Sequence, residues 1–135
     1  MTSYTVTLPW PRRELSPNWT GKLKDKFRAK KAEKIDTVYA CWAAGIRHID
    51  AGALHLKLTF HPPCNRRRDM DNLIASMKHA IDGIAQATGI DDSAYAIAAA
   101  RGEARKGGSV VVEITPFTAG RPDAELRTQI IGGVR

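Results

Sequence analysis

From Leu54 to Phe60 the side chains alternate without a break: Leu54, Leu56, Leu58 and Phe60 are apolar, and His55, Lys57 and Thr59 between them are polar. An extended chain with that period presents every apolar group on one side. The segment therefore reads as a sheet strand with one covered face, stopped by Pro62-Pro63. Three other segments supply neighbours. Tyr4, Val6 and Leu8 alternate up to Pro9, and Val110, Val112 and Ile114 alternate further along, while Tyr95, Ile97 and Ala99 carry a weaker run over 95–100. The last two runs flank Gly102-Glu103-Ala104-Arg105-Lys106-Gly107-Gly108, which predicts a hairpin loop between them.

Two stretches have helical spacing. From about Lys22 to Ala44, the residues Leu23, Phe27, Ile35, Val38, Tyr39, Trp42 and then Ile46 recur in steps of three and four, predicting a helix buried along that stripe. Lys24, Lys26, Arg28, Lys30, Lys31 and Lys34 make its outer face basic. From about Asp71 to Ala85, Leu73, Ile74, Met77, Ile81 and Ile84 predict a second helix, with Gly83 weakening its last turn. The order β-α-β-α-β-β gives an α+β fold class, a single mixed sheet with two helices packed on it. Residues 1–116 read as one domain. Residues 117–135, with Pro122, Gly132 and Gly133 and no periodicity, read as a C-terminal tail, either mobile or a partner arm.

Charge narrows the partners. The 135 residues hold 21 Lys and Arg against 14 Asp and Glu, a net charge of +7 with a pI near 9.7. An excess of that size attracts polyanions, nucleic acid foremost. No apolar run approaches the roughly 20 residues of a membrane-spanning helix, so no membrane partner is expected. Met1-Thr2-Ser3-Tyr4 lacks the layout of a signal peptide, which points to the cytoplasm. Cys41 and Cys64 form no CxxC pair, and His48, His55, His61 and His79 have no ligand spacing, so a thiolate zinc site has no support.

The densest chemistry is Arg66-Arg67-Arg68-Asp69-Met70-Asp71-Asn72, at the predicted junction of strand and helix. Residues two apart in extended chain point the same way, so Asp69 and Asp71 present both carboxylates to one spot. Such oxygen ligands suit Mg²⁺, with Mn²⁺ as a substitute, and the arginines add phosphate-binding charge beside them. The competing reading is a helix cap with solvated arginines around it, which accounts for one aspartate but not for two. Asp91-Asp92 offer a third carboxylate, or an ordinary turn before a strand. A straight helix from Asp71 to Ala85 is roughly 22 Å long. Asp92 must then be carried back by an extended return of up to about 30 Å, or be donated by a second subunit. Lys78, seven residues past Asp71 on the same helical face, either steadies the scissile phosphate or pairs with Asp82.

Arg67-Arg68-Asp69-Met70-Asp71-Asn72-Leu73, followed by Asp82-Gly83 and Asp91-Asp92-Ser93, resembles the RusA family of Holliday-junction resolvases, in particular its phage-type members. Thr7-Leu8-Pro9-Trp10-Pro11 and Leu15-Ser16-Pro17-Asn18 extend the resemblance over roughly residues 4–115. It implies a Mg²⁺-dependent crossover junction endodeoxyribonuclease of DNA recombination and repair, a homodimer that nicks four-way junctions symmetrically. It assigns the metal-binding carboxylates to Asp69, Asp71 and Asp92. Where many members carry a catalytic lysine this chain has Ala75, which leaves Lys78, one turn further on, for that role. The expected DNA contacts are Asn18, Arg66, Arg67, Arg68 and Lys106. Two alternatives stand beside this expectation: a non-catalytic basic DNA-binding module, and a metal-dependent nuclease for other branched DNA or RNA.

Overall fold

The computed structural model describes residues 2–117. Its elements are β1 (Tyr4–Pro9), α1 (Leu23–Ala43), β2 (Ala53–His61), α2 (Met70–Ala75), α3 (Lys78–Thr88), β3 (Tyr95–Arg101) and β4 (Ser109–Phe117). Short 3-10 turns lie at Arg13–Leu15 and Asp92–Ala94. The fold is α+β, with one mixed four-stranded sheet in the order β1-β4-β2-β3. The alternation in β2 does what it foretold: Leu54, Leu56, Leu58 and Phe60 are fully buried, in one cluster with Val110, Val112 and Ile114 of β4 and Met77, Ile81 and Ile84 from the helical segment. Truncating Phe60 to alanine in such a core costs about 3–5 kcal/mol.

The strand pairing differs from the expected hairpin. β3 does not pair with β4. It lies parallel to β2, with Leu54 opposite Tyr95 and Phe60 opposite Arg101, while β4 runs antiparallel between β2 and β1. The loop from Gly102 to Gly108 is therefore a crossover past β2. Side-chain size accounts for the arrangement. Val110, Val112 and Ile114 have the bulk to fill a central position, whereas Tyr-Ala-Ile-Ala-Ala-Ala fills little and goes to the edge.

The second predicted helix is two, making three helices rather than the two expected. It breaks after Ala75, where the Ser76 hydroxyl donates to the Leu73 carbonyl at 2.6 Å and the Met77 amide turns to the Ile74 carbonyl at 3.0 Å. α3 then runs through Gly83 to Thr88 and ends at Gly89, whose φ of 80° supplies a left-handed cap. The helix continues past Gly83 to Thr88, and the glycine has a packing reason. A Cβ there would lie 2.7 Å from the Lys34 carbonyl oxygen and 2.8 Å from Thr37 Cβ, so the glycine lets α1 and α3 touch.

That close seam reverses the expected orientation of α1. Its buried side is Ala29, Glu33, Thr37, Val38 and Cys41, small or polar groups that fit a tight contact. Leu23, Phe27, Ile35, Tyr39 and Trp42 of the predicted core stripe face outwards, Phe27 at 56% and Tyr39 at 62% exposure. Only Val38 and, beyond the helix, Ile46 go inside. Cys41 packs in the core, where burial pushes its thiol up to about 11, and both cysteines are free. Among the described residues no helix is long and apolar enough to cross a membrane. Phe117 closes β4, and the rest of the expected tail lies outside the described residues.

Candidate nucleic-acid groove and metal site

At the Pro9 and His61 ends of β1 and β2 the chain opens a groove of about 640 Å³. Three segments line it: Trp10 to Asn18 after β1, Arg66 to Asp69 after β2, and Asn72 to Ser76 in and just past α2. Trp10 is its anchored wall. The indole meets Phe60 edge-on at 6.1 Å, and the Arg68 guanidinium lies 5.6 Å over the ring. Gly108 of the crossover loop also lies against Trp10, which brings Lys106 to this end of the molecule though outside the groove lining.

The three consecutive arginines divide their labour. Arg68 is turned inwards and donates to the carbonyls of Cys64 and Arg66 at 2.8 and 3.2 Å, and to the Cys64 sulfur at 3.3 Å. The Arg66 backbone amide, and after it the Arg68 guanidinium, hold the exposed Cys64 thiol below its ordinary range. From β3, Arg101 donates to the same loop, to the Arg66 carbonyl at 2.9 Å and the Arg68 carbonyl at 3.4 Å. The loop is thus tied down by two guanidinium groups. Arg66 and Arg67 remain exposed on the groove wall and make no ion pair among the described residues. Asn18 lines the opposite side, with Ser16 and Arg13.

Arg12 also borders the groove but is engaged elsewhere. It binds Glu33 at 2.5 Å and Asp36 at 2.7 Å on α1, so it fastens the loop after β1 to that helix. The hydrogen bond that Arg12 donates to Asp36 leads in raising Arg12 above its usual range. Glu33 is nearly inaccessible; burial raises its carboxyl above the usual range while Arg12 pulls the other way. Neither Arg101 nor the Arg12–Glu33 pair was legible as part of a site in sequence. The one clue was Glu33 at four-residue spacing between Ala29 and Thr37, on a side of the helix that held no large apolar group.

Asp69 occupies the N-cap position of α2, with extended backbone, yet its carboxylate makes no capping hydrogen bond. Asp71 follows in the first turn, exposed, and the described residues give it no ion pair. Asp69 lines the groove without capping the helix, whereas Asp71 is exposed in the helix itself and outside the groove lining, so the extended-chain alignment expected of the two acids is replaced by a strand-to-helix step between them. Mg²⁺ typically takes one or two carboxylates and completes its shell with water and phosphate oxygens. Asp69 and Asp71 are donors of the chemical type that demand calls for, and neither is engaged by another side chain among the described residues.

The remaining predicted residues are elsewhere. Asp91 caps the turn before β3, accepting from the Ser93 amide at 3.0 Å and from the Ser93 hydroxyl. Those two bonds hold its carboxyl below the usual range. Asp92 is left exposed and unengaged, near the Leu54–Tyr95 end of the parallel pair, whereas Asp69 sits near the Phe60–Arg101 end. Six residues of strand separate those ends, roughly 20 Å. Among the described residues no three His, Cys, Asp or Glu groups come together as a metal set. Lys78 begins α3, a helix break beyond Asp71, and does not line the groove; Asp82 faces His79 at 3.7 Å instead.

No family model matches the chain. Over 119 residues it is 37% identical to an uncharacterized protein of Xylella fastidiosa, a match covering 84% of this chain and 77% of that one. The chain belongs to the family of that protein. The matched span is long enough to take in most of the sheet, the helices and the groove, whichever end of the 135 residues it leaves out.

Proposed function

We propose that this protein is a structure-selective, metal-dependent DNA endonuclease of the RusA type, which resolves four-way junctions by paired, symmetric nicks. The observation that carries the proposal is the pair of uncommitted carboxylates, Asp69 and Asp71, beside a groove walled by exposed arginines. Arg66 and Arg67 receive the phosphodiester backbone through charge-assisted hydrogen bonds. Asn18 and Ser16 contribute further polar lining, and the stacking of Arg68 on Trp10 keeps that wall rigid. Asp69 and Asp71 would hold the Mg²⁺ ion, which when bound offsets phosphate charge and lowers the pKa of an attacking water.

A homodimer supplies the third carboxylate. β3 is an edge strand with no charged or proline residue from Tyr95 to Ala100, the kind of edge that pairs with another chain. Antiparallel pairing of two such edges about a two-fold axis sets the start of one β3 beside the end of the other. Asp92 of one copy then approaches Arg101, and with it the Asp69 loop, of its partner. Two identical sites on a two-fold body match the two strands that must be nicked.

The deciding experiment is cleavage of a synthetic four-way junction under Mg²⁺ or Mn²⁺ titration. Metal-dependent paired nicking is expected, abolished by chelation, with Asp71→Asn still binding the junction. Undiminished cutting by that variant would overturn the site. A second reading, a DNA-binding module without catalysis, draws on the lack of a three-carboxylate set among the described residues. Absence of cutting by the wild type with any divalent metal would favour it. Competition among a four-way junction, linear duplex and structured RNA tests the substrate, and equal affinity for all three would argue against junction selectivity. For Lys78→Ala the expected result is a slower rate at unchanged affinity, and a wild-type rate would remove Lys78 from the site.

A further inference from the structure

The outer face of α1 has no role in the groove, and its composition is unusual. Lys24, Phe27, Lys31, Ile35 and Trp42 recur in steps of three, four and seven, so they share one side of a helix about 31 Å long. Arg28 and Tyr39 flank them, and all seven are exposed. The rings are already arranged as a platform for cations and flat surfaces. Tyr39 and Trp42 meet edge-to-face at 5.6 Å, the Arg47 guanidinium lies 5.0 Å over Trp42, and Lys30 Nζ lies 5.3 Å over Phe27. Of the three acids on the helix, Glu33 and Asp36 are taken by Arg12, leaving only Asp25 against six lysines and arginines.

We infer that this face is a second nucleic-acid surface, which takes a strand with accessible bases along α1. Lysine and arginine hold its phosphates, while Phe27, Tyr39 and Trp42 stack on unpaired bases. Charge decides between this occupant and a second copy of the chain. Lys31 lies near the middle of the face, so two copies packed antiparallel would bring it close to its own copy at the axis, and parallel packing would align Lys24, Arg28 and Lys31 with their equivalents. A phosphate backbone meets the same groups with opposite sign, and bases stack on exposed rings in a way that tolerates any sequence. The inference rests on reading the protein as one that binds DNA. It does not depend on cutting, nor on which groups hold the metal.

The test uses the full chain with Asp71→Asn, and a fluorescein-labelled oligo-dT of about one helix length or more alongside a four-way junction. Replacing Lys24, Arg28 and Lys31 by glutamine should lower the slope of log affinity against log salt for oligo-dT by about 2, at roughly 0.7 per phosphate contact. Trp42→Ala should weaken oligo-dT roughly tenfold, within the range of one lost base stack. Far-UV circular dichroism and sedimentation should match the parent in both. An unchanged salt slope in the triple variant would overturn the inference. So would Tyr39→Ala or Trp42→Ala if it dissociated a dimer while leaving oligo-dT affinity intact, an outcome assigning the face to a second copy. A paired Arg66→Ala and Arg67→Ala variant separates the two readings. If the groove reading alone fails, that variant binds the junction normally while the α1 variants still lose oligo-dT.

Discussion

The two ends of the β2–β3 pair carry the same residue type and use it differently. At the Phe60–Arg101 end, Asp69 and Asp71 stand free among arginines whose loop is pinned by Arg68 and Arg101. At the Leu54–Tyr95 end, Asp91 caps a turn and Asp92 stands alone, in a shallow groove shared with Asp82, Gln86 and Lys34. An aspartate's job is set by the donors its backbone places within reach. Where an amide and a hydroxyl arrive, as from Ser93, the acid becomes structural. Where no such donor arrives, and Arg68 and Arg101 spend their guanidinium groups on loop carbonyls, it stays unengaged.

The largest expected effect lies at the first end. Asp71→Asn should reduce junction cleavage roughly a thousandfold, several kcal/mol of transition-state stabilisation, with affinity measured by gel shift unchanged. The relation between the ends is tested next by mixing. Asp69→Asn and Asp92→Asn chains should each be inactive alone, yet mixed dimers retain one intact site if the carboxylates come from two subunits. Nicking should then recover to about a quarter of the wild-type site number, and no recovery would place all three acids in one chain or remove Asp92. A third substitution concerns the seam behind the groove. Gly83→Ala forces a methyl group against the Lys34 carbonyl and Thr37, and should cost about 1–3 kcal/mol in urea unfolding.

Smaller effects follow. Asp91→Ala should lower Tm slightly without altering cleavage, and a loss of cleavage equal to that of Asp92→Asn would erase the contrast between the two neighbours. The smallest is pH-dependent. Burial raises Glu33 in the folded state, so that state keeps a proton which the unfolded chain has already released. Stability therefore falls as pH rises from the ordinary glutamate range through the raised one. Glu33→Gln should flatten that slope in urea titrations at closely spaced pH values.

Local pattern told which segments are strands and helices far better than it told what they touch. The four apolar groups of β2 needed no partner to be recognised, because their alternation is a property of the strand itself. The expected hairpin failed because spacing between Arg101 and Ser109 says nothing about which strand each will pair with; bulk decided, and the valine-rich strand took the centre. The stripe on α1 failed for a related reason. A helix buries whatever lets it approach its neighbour, and the neighbour here presents Gly83, so Ala29, Glu33 and Thr37 went in. In the site, Arg66 to Asp71 were legible because they are contiguous. Arg12, Glu33 and Arg101 were not, since each acts on a segment at least twenty residues away.

The placement of β4 has a consequence for synthesis. β1, which leaves the ribosome before the other described strands, pairs among them with β4 alone. Residues 10–108 must be translated between the two, which at about 5–20 residues per second takes roughly 5–20 s. For that interval the nascent chain carries an orphan strand, while β2, the helices and β3 can already assemble as a parallel unit. A late-closing sheet edge is thus built into the order of translation, and slowing the codons just before residue 109 should lengthen the time β1 stays unpaired.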